Sequence, residues 1–208
     1  MAEIAARWPF ADAFVPEDDA IDAAREAAQQ FGIEPVSPAT GAALALAAAA
    51  NPSGSMIEIG TGTGVSGLWL LKGAPEAQLT TIDVDLDHHQ VARSVFQTAG
   101  HPARRTRLIT GTAADVLPRM NEWAYDLVFV DADWRGVHGY VETALRLVRP
   151  GGSVLVSHVL QQGRVASPTK RDPTTVAYRE LLASVRDRED LLFGLSTVGD
   201  GLLHLIPR

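Results

Sequence analysis

The sequence predicts an α/β fold in which helices cover both faces of a mostly parallel β-sheet. Helix-forming segments fill the first fifty residues, short apolar segments alternate with helix-length stretches from residue 55 onward, and two apolar runs flank a VGDG turn near the C-terminus. Apolar strands separated by helices indicate right-handed βαβ units. We expect one domain over residues 1–208, with the helices of 1–51 capping a core formed by 52–208.

Two helices are predicted in the N-terminal segment. The first lies within residues 16–32, which carry acidic side chains in the first turn and a glycine at the end. The second lies within 37–51, where Ser37 is placed to cap the helix and Pro38 to occupy its first position.

Five apolar segments predict the parallel strands, and the stretches between them predict helices. The strands are expected at 55–60, 79–84, 107–110, 126–132 and 153–159, and the helices at about 64–73, 86–99, 112–119 and 136–148. The two apolar runs around VGDG predict a closing antiparallel hairpin. The long polar stretch at 161–175 is either functional or mobile.

Composition and charge exclude several classes of function. The chain has 208 residues, of which 46% are hydrophobic and 21% charged, and its net charge is −7. A negative surface repels phosphate backbones, so we expect no nucleic-acid partner. Cysteine is absent, which excludes disulfides, zinc–thiolate sites and a cysteine nucleophile. The start has no secretory pattern and the longest apolar run, at 41–50, is too short to span a bilayer, so we expect a cytoplasmic protein without a membrane partner.

The glycine-rich segment MIEIGTGTGVSG (56–67) lies at a predicted strand-to-helix turn and fits two ligands. Gly62, Gly64 and Gly67 match the G-x-G-x-x-G pattern of dinucleotide sites. Alternatively, Glu58 and Gly60 begin an acidic-G-x-G-x-G loop, in which a carboxylate would repel a pyrophosphate but attract a ligand with a cationic sulfonium and an α-amino group. The acidic loop favours S-adenosylmethionine, while a dinucleotide or a turn without a ligand remain alternatives.

Two further strand ends are candidates for the same ligand. Asp83, followed by Val84, ends the second predicted strand, where an acid would bind the ribose hydroxyls of either ligand. Gly111, Thr112 and Ala113 follow the third strand, where their backbone would flank the adenine. Asp85 is expected to cap the next helix.

The ordered motifs together resemble the small cation-dependent O-methyltransferases, the class I group that includes the catechol and caffeoyl-CoA enzymes. The resemblance covers about residues 33–206 and is carried by IEIGTGTGVSGLWL, LTTIDVD, YDLVFVDAD, LRLVRPGG and GRVASP. It implies a Rossmann-like sheet of seven strands with the last antiparallel, a homodimer, and methyl transfer to a phenolic hydroxyl of a small molecule.

The family's site residues can be carried over by position. By this resemblance Asp131 contacts the methyl donor and is the family's first metal ligand. The remaining positions matched to the donor site are Val36, Ser37, Glu58, Gly60, Thr61, Gly62, Thr63, Gly64, Ser66, Asp83, Val84, Gly111, Thr112 and Ala113.

The sequence departs from the family at the metal site. Trp134 stands where the family has a lysine, and Ser157 and His158 stand where it has an Asp-Asn pair. Magnesium prefers charged oxygen ligands, so these residues make a poor site for it. We therefore predict no metal ligands, and the divalent cation of the family is in question.

His158 is the candidate that could replace the metal in activating a hydroxyl. It could act as a general base beside Asp131, it could fill the former metal pocket, or it could help to bind a softer metal such as zinc. Trp134 and the polar loop after Gln161 could form the walls of the acceptor site, with Arg164, Lys170 and Arg171 placed for an anionic acceptor. The alternative is a packed surface tryptophan and a solvated loop. His88 and His89 are expected at the surface.

The sequence thus predicts an S-adenosylmethionine-dependent O-methyltransferase that acts on a small, aromatic hydroxyl compound, with catalytic roles for His158 and Asp131. Two alternatives stay open. One is a protein that binds the methyl donor without catalysis, and the other is an NAD-dependent oxidoreductase.

Overall fold

A computed structural model describes residues 7–51 and 54–208 of the chain. Within them a seven-stranded sheet has the order β3-β2-β1-β4-β5-β7-β6, in which β7 runs antiparallel to both of its neighbours. The strands are β1 (Ser55–Ile59), β2 (Gln78–Asp83), β3 (Thr106–Thr110), β4 (Tyr125–Val130), β5 (Val148–Val156), β6 (Leu191–Ser196) and β7 (Leu202–Pro207). The predicted mostly parallel sheet with a C-terminal antiparallel hairpin is confirmed.

Helices pack on both faces of this sheet, as predicted. They are α1 (Arg7–Phe14), α2 (Asp19–Phe31), α3 (Pro38–Ala48), α4 (Val65–Gly73), α5 (Leu86–Thr98), α6 (Ala113–Val116), α7 (Val137–Leu147) and α8 (Pro173–Arg186). Successive residues of one strand face opposite helical layers. On β4, Phe129 packs with α3, α4 and α5, while Val128 and Val130 pack with α7 and α8.

The predicted helix caps form. The Ser37 hydroxyl accepts a hydrogen bond from the Thr40 backbone N–H at 3.3 Å, and the Asp85 carboxylate accepts one from the Asp87 N–H at 2.8 Å. Each side chain satisfies an N–H group that the first helical turn leaves without a partner.

Strand β5 and helix α8 differ most from the sequence prediction. Strand β5 begins at Val148 instead of residue 153, because Val148 already pairs with Tyr125 before a register shift bulges the segment that contains Gly151. Sequence analysis also did not identify α8, although Asp172 caps it and Pro173 opens it. Both are ordinary helix-start signals.

The fold brings several chain segments to one edge of the sheet. The carboxyl ends of β1, β2, β4 and β5 meet there, as in other open parallel sheets. The segment 33–37 between α2 and α3 lies over this edge, where the Arg25 side chain donates a hydrogen bond to the Val36 carbonyl at 2.9 Å. Over the described ranges no helix combines the length and the apolar character that a membrane crossing requires.

Candidate functional site

A first cavity of about 170 Å³ lies above the glycine loop between β1 and α4. Its wall combines that loop with side chains from the ends of β2 and β4 and from the segment after α2. The lining residues are Ile33, Glu34, Pro35, Val36, Gly60, Thr61, Gly62, Thr63, Val65, Ser66, Asp83, His88 and Asp131. Most of the residues that sequence analysis assigned to the methyl donor are therefore brought together.

The glycine loop passes close to the end of β4. Gly60 has a φ of 99°, and a Cβ atom at this position would lie 1.9 Å from the Asp131 carbonyl oxygen. A side chain is excluded by both the backbone conformation and this approach. Gly64, with a φ of 96°, packs beneath the cavity against the ring of Phe96.

Asp83 ties the loop to the end of β2. Its carboxylate accepts hydrogen bonds from the backbone N–H groups of Gly62, at 2.9 Å, and Asp85, at 3.0 Å. The His88 ring lies 3.5 Å from the same carboxylate. Asp83 thus holds the loop in place while it lines the cavity.

The predicted adenine-side residues lie beside Asp83 but outside the wall of the first cavity. The Gly111 N–H donates to the Asp83 carbonyl at 2.9 Å, Thr112 caps α6, and Ala113 is buried. Val84 is exposed.

Glu58 lies beneath the loop and is fully buried instead of lining the cavity. The Thr81 hydroxyl donates a hydrogen bond to its carboxyl at 2.6 Å, while Oε1 has no hydrogen-bond partner among the described residues. Burial, reinforced by the negative charges of Asp131 and Asp83, raises the pKa of Glu58 to about 8. Its side chain is therefore mainly protonated at neutral pH.

A hydrogen-bonded chain continues from Glu58 to His89. The hydroxyls of Thr61 and Thr81 lie 2.6 Å apart, and His89 Nε2 lies 3.0 Å from the Thr61 hydroxyl. Because each hydroxyl has one hydrogen and Thr81 donates to Glu58, Thr61 donates to Thr81 and His89 Nε2 donates to Thr61. Nδ1 then accepts from the Thr110 hydroxyl at 2.8 Å, which requires the neutral imidazole.

The expectation that His88 and His89 lie at the surface is wrong. His89 is 2% exposed, burial lowers its pKa, and His88 lines the first cavity. The burial of His89 could have been predicted from the helical period, since His89, Ala92 and Phe96 form the buried face of α5.

A second cavity of about 520 Å³ adjoins the first, and the two share Glu34, Pro35 and Val36. It extends from the end of β5 to the β6–β7 turn and α1. Its other lining residues are Asp12, Ser37, Thr40, Ser157, His158, Leu160, Gln162, Gly163, Thr197, Gly199, Asp200 and Gly201.

His158 joins the two cavities at the end of β5. Its Nε2 lies 3.5 Å from a carboxylate oxygen of Asp131, and its Nδ1 lies 3.8 Å from one of Asp200. The backbone of His158 adopts a φ of 57°, which is uncommon for a residue with a side chain. The Ser157 hydroxyl also donates to Asp131. Sequence analysis had not included Asp200, which lies 42 residues further along the chain.

Opposing influences act on the pKa of the Asp131 carboxyl. Burial raises its pKa, while the neighbouring His158 and the hydrogen bond from Ser157 act in the opposite direction. Burial has the larger effect, so the pKa of Asp131 lies above its usual value.

The residues at the family's metal position do not fit a hard cation. Ser157 donates its hydrogen to Asp131, and His158 offers nitrogen where magnesium prefers oxygen. Residues 7–51 and 54–208 contain no group of three or more acidic or histidine side chains arranged to hold a metal ion.

Gln162 and Gly163, from the loop proposed as a wall for the acceptor, line the second cavity, whereas Trp134 and the three basic side chains lie elsewhere. Trp134 packs against the core beside α7 and beneath the Arg135 guanidinium, and lines neither cavity. Arg164 donates to the carbonyl and the side chain of Gln161, and Lys170 and Arg171 are exposed outside both walls. The structure therefore supports the packed tryptophan and the solvated basic side chains.

Comparisons with known proteins agree with this geometry. A model of the O-methyltransferase family matches residues 19–207. A Mycobacterium tuberculosis protein described as a probable O-methyltransferase is 42% identical over 200 residues, which cover 96% of this chain and 89% of that protein. A Corynebacterium glutamicum crystal structure superposes with a TM-score of 0.90 at 29% identity, covering 100% of this chain and 97% of the other.

A second solved structure was determined with a ligand. TomG of Streptomyces achromogenes, an O-methyltransferase of tomaymycin synthesis in complex with S-adenosylmethionine, superposes with a TM-score of 0.83 at 30% identity, covering 97% of each chain. The family match spans most of the chain and includes every residue that lines the two cavities except Asp12. This protein therefore belongs to the O-methyltransferase family.

Proposed function

We propose that the protein transfers the methyl group of S-adenosylmethionine to a hydroxyl of a small aromatic acceptor without a divalent cation. The observation that carries this proposal is the Asp131–His158 pair, which spans the two adjoining cavities. Asp131 lines the first cavity, which we assign to the methyl donor, and His158 lines the second, which we assign to the acceptor.

The charge of the first cavity favours S-adenosylmethionine over a dinucleotide. Glu34, Asp83 and Asp131 line it, and no lysine or arginine of the described chain does. Three carboxylates would repel a pyrophosphate but attract the cationic donor. TomG, which was solved with S-adenosylmethionine, supports the same assignment.

His158 supplies the base that the reaction requires. As the acceptor oxygen attacks the methyl carbon, the carbon–sulfur bond breaks and its electron pair stays on sulfur, which yields S-adenosylhomocysteine. The acceptor proton passes to Nε2 of His158, and Asp131 stabilises the resulting imidazolium at 3.5 Å. The methyl group is already activated in the donor, so alignment of the two reactants provides much of the remaining acceleration.

The proposal is tested with the purified protein, S-adenosylmethionine and a panel of phenols and catechols, with methylated product detected by mass spectrometry. We expect turnover that survives EDTA and does not increase with magnesium. Loss of turnover in EDTA and recovery with magnesium would contradict the cation-independent mechanism. Calorimetry with S-adenosylhomocysteine and NAD separates the alternatives, because tight binding of NAD alone would refute the donor assignment.

A protein that binds the methyl donor without catalysis would give a different result in the same experiments. S-adenosylhomocysteine would bind, but no acceptor would be methylated. The homodimer and the cytoplasmic location expected from the sequence stay predictions, and light scattering of the purified protein tests the first of them.

A further inference from the structure

The second cavity has an acidic wall. Asp12 on α1, Glu34 after α2 and Asp200 in the β6–β7 turn all line it, and they come from three separate parts of the chain. Neutral polar side chains, including Ser37 and Gln162, fill the space between them. No lysine or arginine contributes to this wall in the part of the chain that the structure describes. The proposed site is this second cavity, which adjoins the cavity assigned to the methyl donor. The three acids determine the charge of its wall.

Two of these carboxylates are held in place by the backbone. Asp12 accepts a hydrogen bond from the Ala39 N–H at 3.1 Å, and Asp200 accepts one from the Gln162 N–H at 2.5 Å. Neutral N–H groups orient a carboxylate without cancelling its charge. Within residues 7–51 and 54–208, no lysine or arginine forms an ion pair with any of the three acids in this wall.

Three arginines bond to this wall or to the loop beside it, and none of them pairs with its acids. Arg25 binds Glu17 and the Val36 carbonyl, and Arg164 binds Gln161. Arg179 donates to backbone carbonyls of the 161–175 loop, including that of Ser167 at 2.9 Å. Among the described residues, His158 is the one basic side chain paired with an acid of this wall, with Nδ1 3.8 Å from a carboxylate oxygen of Asp200. Asp12 and Glu34 have no cationic partner there.

We infer that the acceptor carries a protonated amine in addition to the hydroxyl that is methylated, an inference that rests on the proposed function. The hydroxyl would meet His158 at the junction of the cavities, and the ammonium group would be attracted by Asp12, Glu34 and Asp200. A carboxylate or phosphate on the acceptor would meet charge of its own sign. The volume of about 520 Å³ suits a small ligand.

The test compares three probes of similar size that differ in charge. They are 4-(2-aminoethyl)catechol, 4-propylcatechol and 3-(3,4-dihydroxyphenyl)propanoate. Calorimetry measures their binding to the protein saturated with S-adenosylhomocysteine. We expect the amine to bind about fivefold or more tightly than the neutral probe, the carboxylate to bind most weakly, and added salt to reduce these differences.

Variants locate the origin of the preference. Asp200→Asn and Asp12→Asn each remove one charge and keep the shape of the side chain, so we expect the advantage of the amine over the neutral probe to shrink. Asp187→Asn is the matched control, because Asp187 is highly exposed and lies outside the cavity. Unchanged affinity for S-adenosylhomocysteine, which is assigned to the first cavity, shows that each variant is folded.

The outcomes separate the two proposals. Equal binding of the three probes, or preference for the carboxylate, overturns the inference, and methylation of any probe would still support the proposed function. If S-adenosylhomocysteine does not bind, the donor assignment fails. If it binds and none of the three probes is methylated, the catalytic proposal fails, while the order of probe affinities still decides the charge preference of the cavity.

Discussion

Replacing Glu58 by glutamine tests whether the carboxyl beneath the glycine loop is protonated in the folded protein. Burial raises the pKa of Glu58 from 4.5 to about 8, so the folded protein retains a proton that the unfolded chain has released. Glutamine resembles the protonated carboxyl, keeps an oxygen for the Thr81 hydroxyl and stays neutral at every pH. Glu58→Gln therefore removes the titration and preserves the contact.

The size of the effect follows from proton linkage. The free energy of unfolding decreases with rising pH wherever the folded state binds more protons than the unfolded state. For Glu58 this window extends from about 4.5 to about 8. The slope is about 1.4 kcal/mol per pH unit inside the window and flattens near its upper end. Between pH 6 and pH 8, the unmodified protein is expected to lose about 2 kcal/mol of stability that Glu58→Gln does not lose.

Denaturant unfolding at pH 6, 7 and 8, followed by circular dichroism, measures this difference. Contributions from the histidines are common to both proteins and cancel when the two free energies are subtracted. Glu180→Gln, an exposed position on α8, is the control and should show no pH-dependent difference. If the difference between the unmodified protein and Glu58→Gln is constant over this range, Glu58 is ionised in the folded state and the argument from burial is wrong.

Three further substitutions test the site. His158→Ala is expected to lower kcat by about 10²–10⁴ with little change in S-adenosylhomocysteine affinity; unchanged kcat would exclude the base role. Gly60→Ala is expected to abolish donor binding, measured by calorimetry, because its Cβ would overlap a backbone carbonyl. Gly139→Ala is the control, since its Cβ meets nothing within 4 Å, and normal binding by both variants would refute the close approach. His89→Leu is expected to destabilise the protein by about 1–3 kcal/mol in denaturant unfolding, because two threonine hydroxyls lose a partner; an unchanged stability would show that the chain contributes nothing.

Much of the architecture could be predicted because its signals are local. The strand positions follow from short apolar segments, and the caps at Ser37 and Asp85 follow from residue types at helix starts. The early start of β5 could not be predicted this way, because Val148 joins the sheet only by pairing with Tyr125 across a bulge. Long-range pairing of this kind leaves little trace in a local pattern.

The sequence by itself determined the alternation of strands and helices, the glycine loop and about half of the residues that line the first cavity, since each depends on neighbours along the chain. Only the tertiary structure decided the state of Glu58, the burial of His89 and the meeting of His158 with Asp200. These properties depend on desolvation and on charges brought together from distant segments. The meeting of His158 with Asp200 also places a histidine and a carboxylate side by side in the second cavity.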